Sequence, residues 1–327
     1  MKRDADRIQF TRALVPAIAA LLLALACGSS EPVAEPTPTV DNSTMSRIAF
    51  VSKRDGNWEI YVMNADGSGQ RNVTNNPGLD SYPSWSRDGS RIVFASDRDG
   101  NRNIFAMDPD GSNVVRLTDS TRVDDMPALS PDGSLIAFVS DRDDRANLWV
   151  MNADGSEPRN LTPKQVNTRW PSWSPDGLLI AYEHESAIYT VAAADGAQDR
   201  LVRNRTDIDG HFVGWPTWAP DGHRMALTIR YGLKGSPPSI YTMASDGDDI
   251  EPVQRKPSET TEERPSYSPD GRYLVYSEYG AGVEPDVYVV EVDTNRRIRL
   301  TDNPALDAFP TWEPRGFVPE YPEQPDE

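Results

Sequence analysis

A seven-residue phrase, Pro171-Ser172-Trp173-Ser174-Pro175-Asp176-Gly177 in its fullest form, returns six times along the chain with variations. The glycines that end it are Gly89, Gly133, Gly177, Gly222, Gly271 and, after Arg315 in a degenerate last copy, Gly316. Successive glycines are 44, 44, 45, 49 and 45 residues apart. That period suits a four-stranded propeller blade rather than a helical repeat. The expected fold class is therefore all-β: a six-bladed β-propeller of four-stranded antiparallel blades over residues 46–316.

Each period reads as a blade. In the first, Ile48-Ala49-Phe50-Val51-Ser52 is followed by the turn Lys53-Arg54-Asp55-Gly56-Asn57, then Ile60-Tyr61-Val62-Met63, then Ala65-Asp66-Gly67-Ser68. Two β-rich runs joined by a glycine-containing turn make a hairpin. A third strand ends at pairs such as Leu117-Thr118 and Leu161-Thr162, and a fourth starts at the recurring Pro83, Pro127, Pro171, Pro216, Pro265 and Pro310. The chain opens without a proline-led strand and closes on an unattached one near Phe309 to Trp312. That last strand is expected to complete the first blade, which seals the ring and removes two exposed edges. Two residues after each proline stand Trp85, Leu129, Trp173, Trp218, Tyr267 and Trp312. Large groups at one repeat position point to packing between blades, with sugar stacking as the sharper alternative.

The ends carry other signals. Lys2, Arg3, Arg7 and Arg12 precede an apolar run from Ala13 to Ala26, and the only cysteine, Cys27, follows Leu23-Ala24-Leu25-Ala26. Residues 1–27 read as an export signal. They are similar to a bacterial lipoprotein signal in which Cys27 becomes the lipidated residue, although Ala24 stands where such signals usually carry leucine. A plain signal peptide is the alternative. Residues 28–45, proline-rich and polar, are expected to form a disordered tether, and residues 317–327 an acidic tail. No second cysteine exists, so no internal disulfide holds the fold. Net charge is −18, and near −20 once the signal, with four basic and two acidic residues, is removed. Such acidity argues against nucleic acid as a partner, because phosphates need a basic stripe.

The run Leu148-Trp149-Val150-Met151-Asn152-Ala153-Asp154-Gly155-Ser156, then Leu161-Thr162, then the phrase at Pro171 to Gly177, resembles the TolB-type, WD-repeat-like propeller family. The resemblance covers about residues 46 to 316 and implies a six-bladed ring whose usual task is binding. TolB itself also has an N-terminal α/β domain, for which residues 28–45 leave no room, and peptidase relatives add a hydrolase domain that residues 317–327 cannot supply. No G-x-S-x-G elbow occurs in the chain.

A candidate site follows from the geometry of a meander blade, whose proline-led strand lies innermost. Three residues before the prolines stand Asp80, Asp124, Thr168, Val213, Glu262 and Asp307; the four acids fall on consecutive blades, reinforced by Asp125 and Glu263. The opposite arc offers Arg169 and His211. Immediately before the prolines stand Tyr82, Met126, Trp170, Trp215, Arg264 and Phe309, the expected walls of a channel mouth. Converging carboxylates there would favour a cation or a basic segment of a partner. The same acids also suit the turn before the strand, and together with water they offer oxygens to a divalent cation. No cofactor is otherwise expected. Asp97-Arg98-Asp99-Gly100-Asn101 lacks the distal acids of a calcium loop and reads as a hairpin turn. His184, His211 and His223 show no metal spacing. The Gly232 to Pro238 insertion is a second recognition candidate.

The leading expectation is a non-enzymatic, lipid-anchored, extracytoplasmic binding or scaffold protein, periplasmic or on the cell surface. It would act as a monomeric domain, touch a membrane through its lipid only, and engage an envelope protein, a peptide or a small ligand at the propeller face and channel mouth. The alternative is a metal-assisted lyase or hydrolase acting on polysaccharide there.

Overall fold

The computed structural model describes residues 45–165, 167–197, 199–204, 210–231, 237–253, 259–280, 282–316 and 318–321. The export segment with Cys27, nearly all of the tether and most of the Gly232 to Pro238 insertion lie outside them. Among the described residues the regular elements are 24 strands in six four-stranded antiparallel sheets. Five sheets follow chain order from the proline-led inner strand outward. The remaining one starts from the last strand, Asp307–Trp312, and continues through Arg47–Ser52, Glu59–Asn64 and Arg71–Asn72. The register Ile48↔Trp312 and Ser52↔Asp307 joins the chain ends within one blade, as the strand count predicts.

Blade strands are not polar on alternate residues, because both faces of a blade are covered by its neighbours. Ile48, Ala49, Phe50 and Val51 are all buried, as are Ile92, Val93, Phe94 and Ala95. The core is consequently a ring of inter-blade clusters. One joins Ala49, Ile60 and Val62 of the first blade to Ile92, Phe94 and Phe105 of the second, around Trp85. The aromatics after the prolines do pack between blades: Trp85 Nε1–H donates to the Thr311 carbonyl at 3.3 Å and Trp173 Nε1–H to that of Ala128 at 2.9 Å, each on the preceding inner strand.

The repeated polar motifs have local causes. In the phrase itself, Ser86, Ser130, Ser174 and Ser268 each donate to the aspartate two residues on at 2.6 Å and accept a backbone N–H five residues on. This closes the first hairpin of the blade. In the later Asp-Gly turns the glycine is needed because neighbouring blades touch there. A Cβ on Gly111 or Gly155 would stand 2.2 Å from the carbonyl oxygen of Val73 or Leu117 on the preceding blade, at a φ of +90°. L-residues avoid such angles, and the backbone oxygen cannot yield.

The ring does not end at residue 316. Val318 and Tyr321 are buried in the cluster between the last and first blades; the Tyr321 hydroxyl donates to the Ala65 carbonyl at 2.6 Å, and its ring meets Tyr273 edge-on. The expected acidic tail thus begins with an apolar clasp whose alternation is too short to read as a strand.

Candidate functional site

Proline has no N–H to give a ladder, and each inner strand shifts register around its proline: between Ser81 and Ser84, Asp125 and Ala128, Arg169 and Ser172, Gly214 and Thr217, and Glu263 and Ser266, with the matching slip against Ala49 and Val51 in the first blade. At each bulge the residue before the proline has positive φ, between 51° and 61° in Tyr82, Met126, Trp170, Trp215, Arg264 and Phe309. A bulge re-aims one side chain. Here six of them are turned into a single central cavity of about 420 Å3, which all six line.

The six form a nearly continuous aromatic collar. Tyr82 stacks on Phe309 with ring centroids 5.2 Å apart, Trp170 and Trp215 lie 4.5 Å apart, and Phe212 rests against both tryptophans. The Arg264 guanidinium stands over Phe309, Trp215 and Tyr82. Tyr82, Trp170 and Trp215, named as walls from the sequence, stand together in this collar.

The acids do not. Asp80, Asp124, Glu262 and Asp307 are 0% exposed, and none lines the cavity. In three blades the arginine of the second hairpin turn reaches back over its own sheet to the acid: Arg98 to Asp80 at 3.0 Å, Arg142 to Asp124 at 2.9 Å, and Arg54 to Asp307 at 2.8 Å. Nε of each arginine donates to a serine hydroxyl, of Ser96, Ser140 or Ser52, and the guanidinium carbon lies within 6 Å of two aromatic rings of the blade. These acids brace the blades, and the expectation that they present negative potential to the bore is corrected. The hairpin reading of the Asp97 to Asn101 turn stands, with the added role of carrying that arginine. Asp125 is likewise held by Arg102 at 2.8 Å. Among the described residues, no group of three or more His, Cys, Asp or Glu side chains is placed to hold a metal ion.

Glu262 lacks an arginine. Its cross-strand partner is another carboxylate, Glu278, which is occupied by Arg297 at 2.6 Å, Thr260 and Tyr276. Oε2 of Glu262 accepts the Ile240 N–H at 3.2 Å, and Oε1 has no partner. Burial, with Glu278 adding to it, pushes the Glu262 carboxyl up to about 7. An unfolded glutamate titrates near 4.5, so between these values the folded state holds the extra proton. The stabilising contribution is complete below the lower value and lost as pH rises through the upper one. Glu262→Gln should remove that loss: in urea titrations, wild type should weaken relative to the variant between pH 5 and pH 8, by on the order of 3 kcal/mol. A difference that is constant with pH would contradict this placement.

The other expected residues are dispersed. Glu263 is partly buried, its carboxyl raised by burial and held by the Tyr279 hydroxyl at 3.2 Å. Arg169 is exposed, its guanidinium 5.7 Å from the Trp170 ring. The His211 side chain lies outside the described residues. Arg264, treated from the sequence as one wall among six, is the charged member of the collar; its signal was a charged residue in a column otherwise apolar or aromatic.

Residues 38–185 match the family model of the TolB beta propeller domain. A 44-residue stretch is 46% identical to the Tol-Pal system protein TolB of Desulfosudis oleivorans, covering 14% of this chain and 10% of that protein. The chain matches only about a tenth of that relative's length. Among solved structures, TolB from Acinetobacter baumannii aligns with a TM-score of 0.70 at 21% identity over 82% of this chain and 66% of its own. The putative TolB from Agrobacterium tumefaciens gives 0.65 at 20% identity, over 80% and 90%. The family model covers a little under half of the chain, and the structural similarities agree with the ring of six sheets.

Proposed function

We propose that this TolB-type propeller is a non-enzymatic binding protein of the bacterial cell envelope that engages a partner or ligand in its bore, tethered outside the cytoplasm through lipidated Cys27. The observation that carries this reading is the six-fold bulge. Positive φ costs a non-glycine residue about 1–2 kcal/mol, and each blade bears it at the residue that faces the cavity. Strain repeated at one place on a rigid frame is a mark of a functional surface. The relatives named as Tol-Pal system proteins support an envelope setting, and the export signal and tether agree with it. The metal-assisted lyase or hydrolase is disfavoured because three of the four carboxylates it would recruit are committed to arginines within the blades, and the fourth, Glu262, is buried away from the cavity.

Affinity capture from native envelopes with the full chain tests this. Met126→Trp places a third tryptophan at the collar position that Trp170 and Trp215 already hold, and so narrows the bore without disturbing a blade. Partners captured by wild type should be lost with that variant while its melting temperature is kept. Equal capture by both would place recognition elsewhere on the ring.

A further inference from the structure

The chain carries 51 acidic against 33 basic residues, yet among the described residues the only charged side chains lining the cavity are Arg87 and Arg264. Arg87 is exposed and occupies the repeat position that Pro131, Pro175 and Pro269 take in other blades, five residues past the collar and at the far end of the inner strand. Arg264 is the collar's own charge. Its guanidinium carbon is 3.4 Å from the Phe309 centroid, 5.2 Å from that of Trp215 and 5.4 Å from that of Tyr82.

No carboxylate among the described residues lies within ion-pair distance of Arg264, unlike Arg54, Arg98, Arg102 and Arg142 in the surrounding blades. Its Nε and the indole N–H groups of Trp170 and Trp215 are buried without acceptors. Burial also lowers the affinity of Arg264 for its proton, the mark of an under-solvated cation. Tyr82 is a side-chain hydrogen-bond partner of Arg264, yet these three N–H groups still want acceptors. Glu263 and Asp125 act on the charge of Arg264 from beyond ion-pair distance, and a largely desolvated guanidinium without a directly paired carboxylate is costly; a planar two-oxygen anion answers its fork.

We infer that the bore selects a carboxylate carried on an apolar or aromatic body, the carboxylate meeting Arg264 and the body lying among Tyr82, Phe309, Trp170 and Trp215. The cavity volume is in the range of small-molecule sites, so one such group fits, whether it is a free acid or the end of a peptide. This rests on the reading that the bore is the binding site, and it reverses the sign of the ligand expected from the sequence: an anion, not a cation.

Calorimetric titration of the full chain tests it with four probes: 3-phenylpropionate, its neutral amide, the tripeptide Ala-Val-Phe with a free C terminus, and the same tripeptide amidated. The acids should bind at least about tenfold more tightly than their amides, with the preference weakening as salt rises. Arg264→Gln should erase the preference and Arg264→Lys should keep part of it, while Arg122→Gln, at an exposed arginine outside the cavity lining, leaves it unchanged. The tripeptide binding more tightly than the free acid identifies a chain terminus as the source, and the reverse a small acid. Equal binding of acids and amides, an acid preference that survives in Arg264→Gln, or no binding of any probe would overturn the inference. If Arg264→Gln meanwhile still captures the envelope partner and Met126→Trp does not, the bore remains the site and only its anion selectivity falls.

Discussion

Removal of residues 307–327 is expected to abolish cooperative unfolding. The segment supplies the inner strand of the first blade, and with it Trp312, 2% exposed at the junction of the first and last blades. It also carries Glu313, which accepts from the Arg47 guanidinium at 2.7 and 3.0 Å, and Tyr321, which is bonded to Ala65. Loss of one buried tryptophan costs about 3–5 kcal/mol, against about 5–15 kcal/mol of net stability in a typical domain. Losing a whole strand also leaves the edge of Arg47–Ser52 unpaired in a ring that has no other end. The truncated chain should therefore show a broad thermal transition by near-ultraviolet dichroism, with exposed apolar surface that binds dye. A sigmoidal melt at the wild-type temperature would show that the blades hold without closure.

The second large effect concerns the braces. Arg142→Ala strands the Asp124 carboxylate, which is fully buried and accepts from the Arg142 guanidinium at 3.0 and 2.9 Å. It also uncovers the faces of Phe138 and Trp149. Breaking one side of a buried pair costs about 3–5 kcal/mol because the remaining charge is left without water or partner. The pair of Arg122 with Asp144, both exposed, makes the control: its removal should cost less than about 1 kcal/mol. Urea midpoints for the two alanine variants should differ accordingly. Asp124→Asn combined with Arg142→Ala should recover much of the loss, since the stranded charge is then absent. Similar midpoints for the two single variants would show that the buried acid reaches solvent.

Those braces were legible in the sequence, though not from the acids alone. The three blades with aspartate three residues before the proline are the same three that carry a Ser-x-Arg-Asp turn, at Ser52 to Asp55, Ser96 to Asp99 and Ser140 to Asp143. Where the position holds Thr168 or Val213, the turn has no such arginine, as in His184-Glu185-Ser186. Acid and arginine vary together because they touch. Counting acids around the ring without that pairing led to a negatively charged bore that the fold does not build.

The number of blades, the closure and the inter-blade aromatics were readable because each follows from periodicity or strand order. The orientation of the collar was not. Nothing in a Tyr-Pro or Trp-Pro dipeptide states that the first residue takes a positive φ, since proline biases its predecessor toward extended conformations. That geometry arises from a bulge imposed by the neighbouring strand. The clasp at Val318 and Tyr321 was hidden for a related reason: two apolar residues in a polar terminus carry no period.

The most direct test of the bore as the binding surface is hydrogen exchange of the full chain, free and bound to its captured envelope partner. Slowed exchange should concentrate in the inner strands Asp80–Trp85, Asp124–Leu129, Arg169–Trp173, Gly210–Trp218, Thr261–Tyr267 and Asp307–Trp312, around the six residues before the prolines. Protection confined to outermost strands such as Val115–Arg116 and Arg297–Arg299, with the inner strands unchanged, would contradict it.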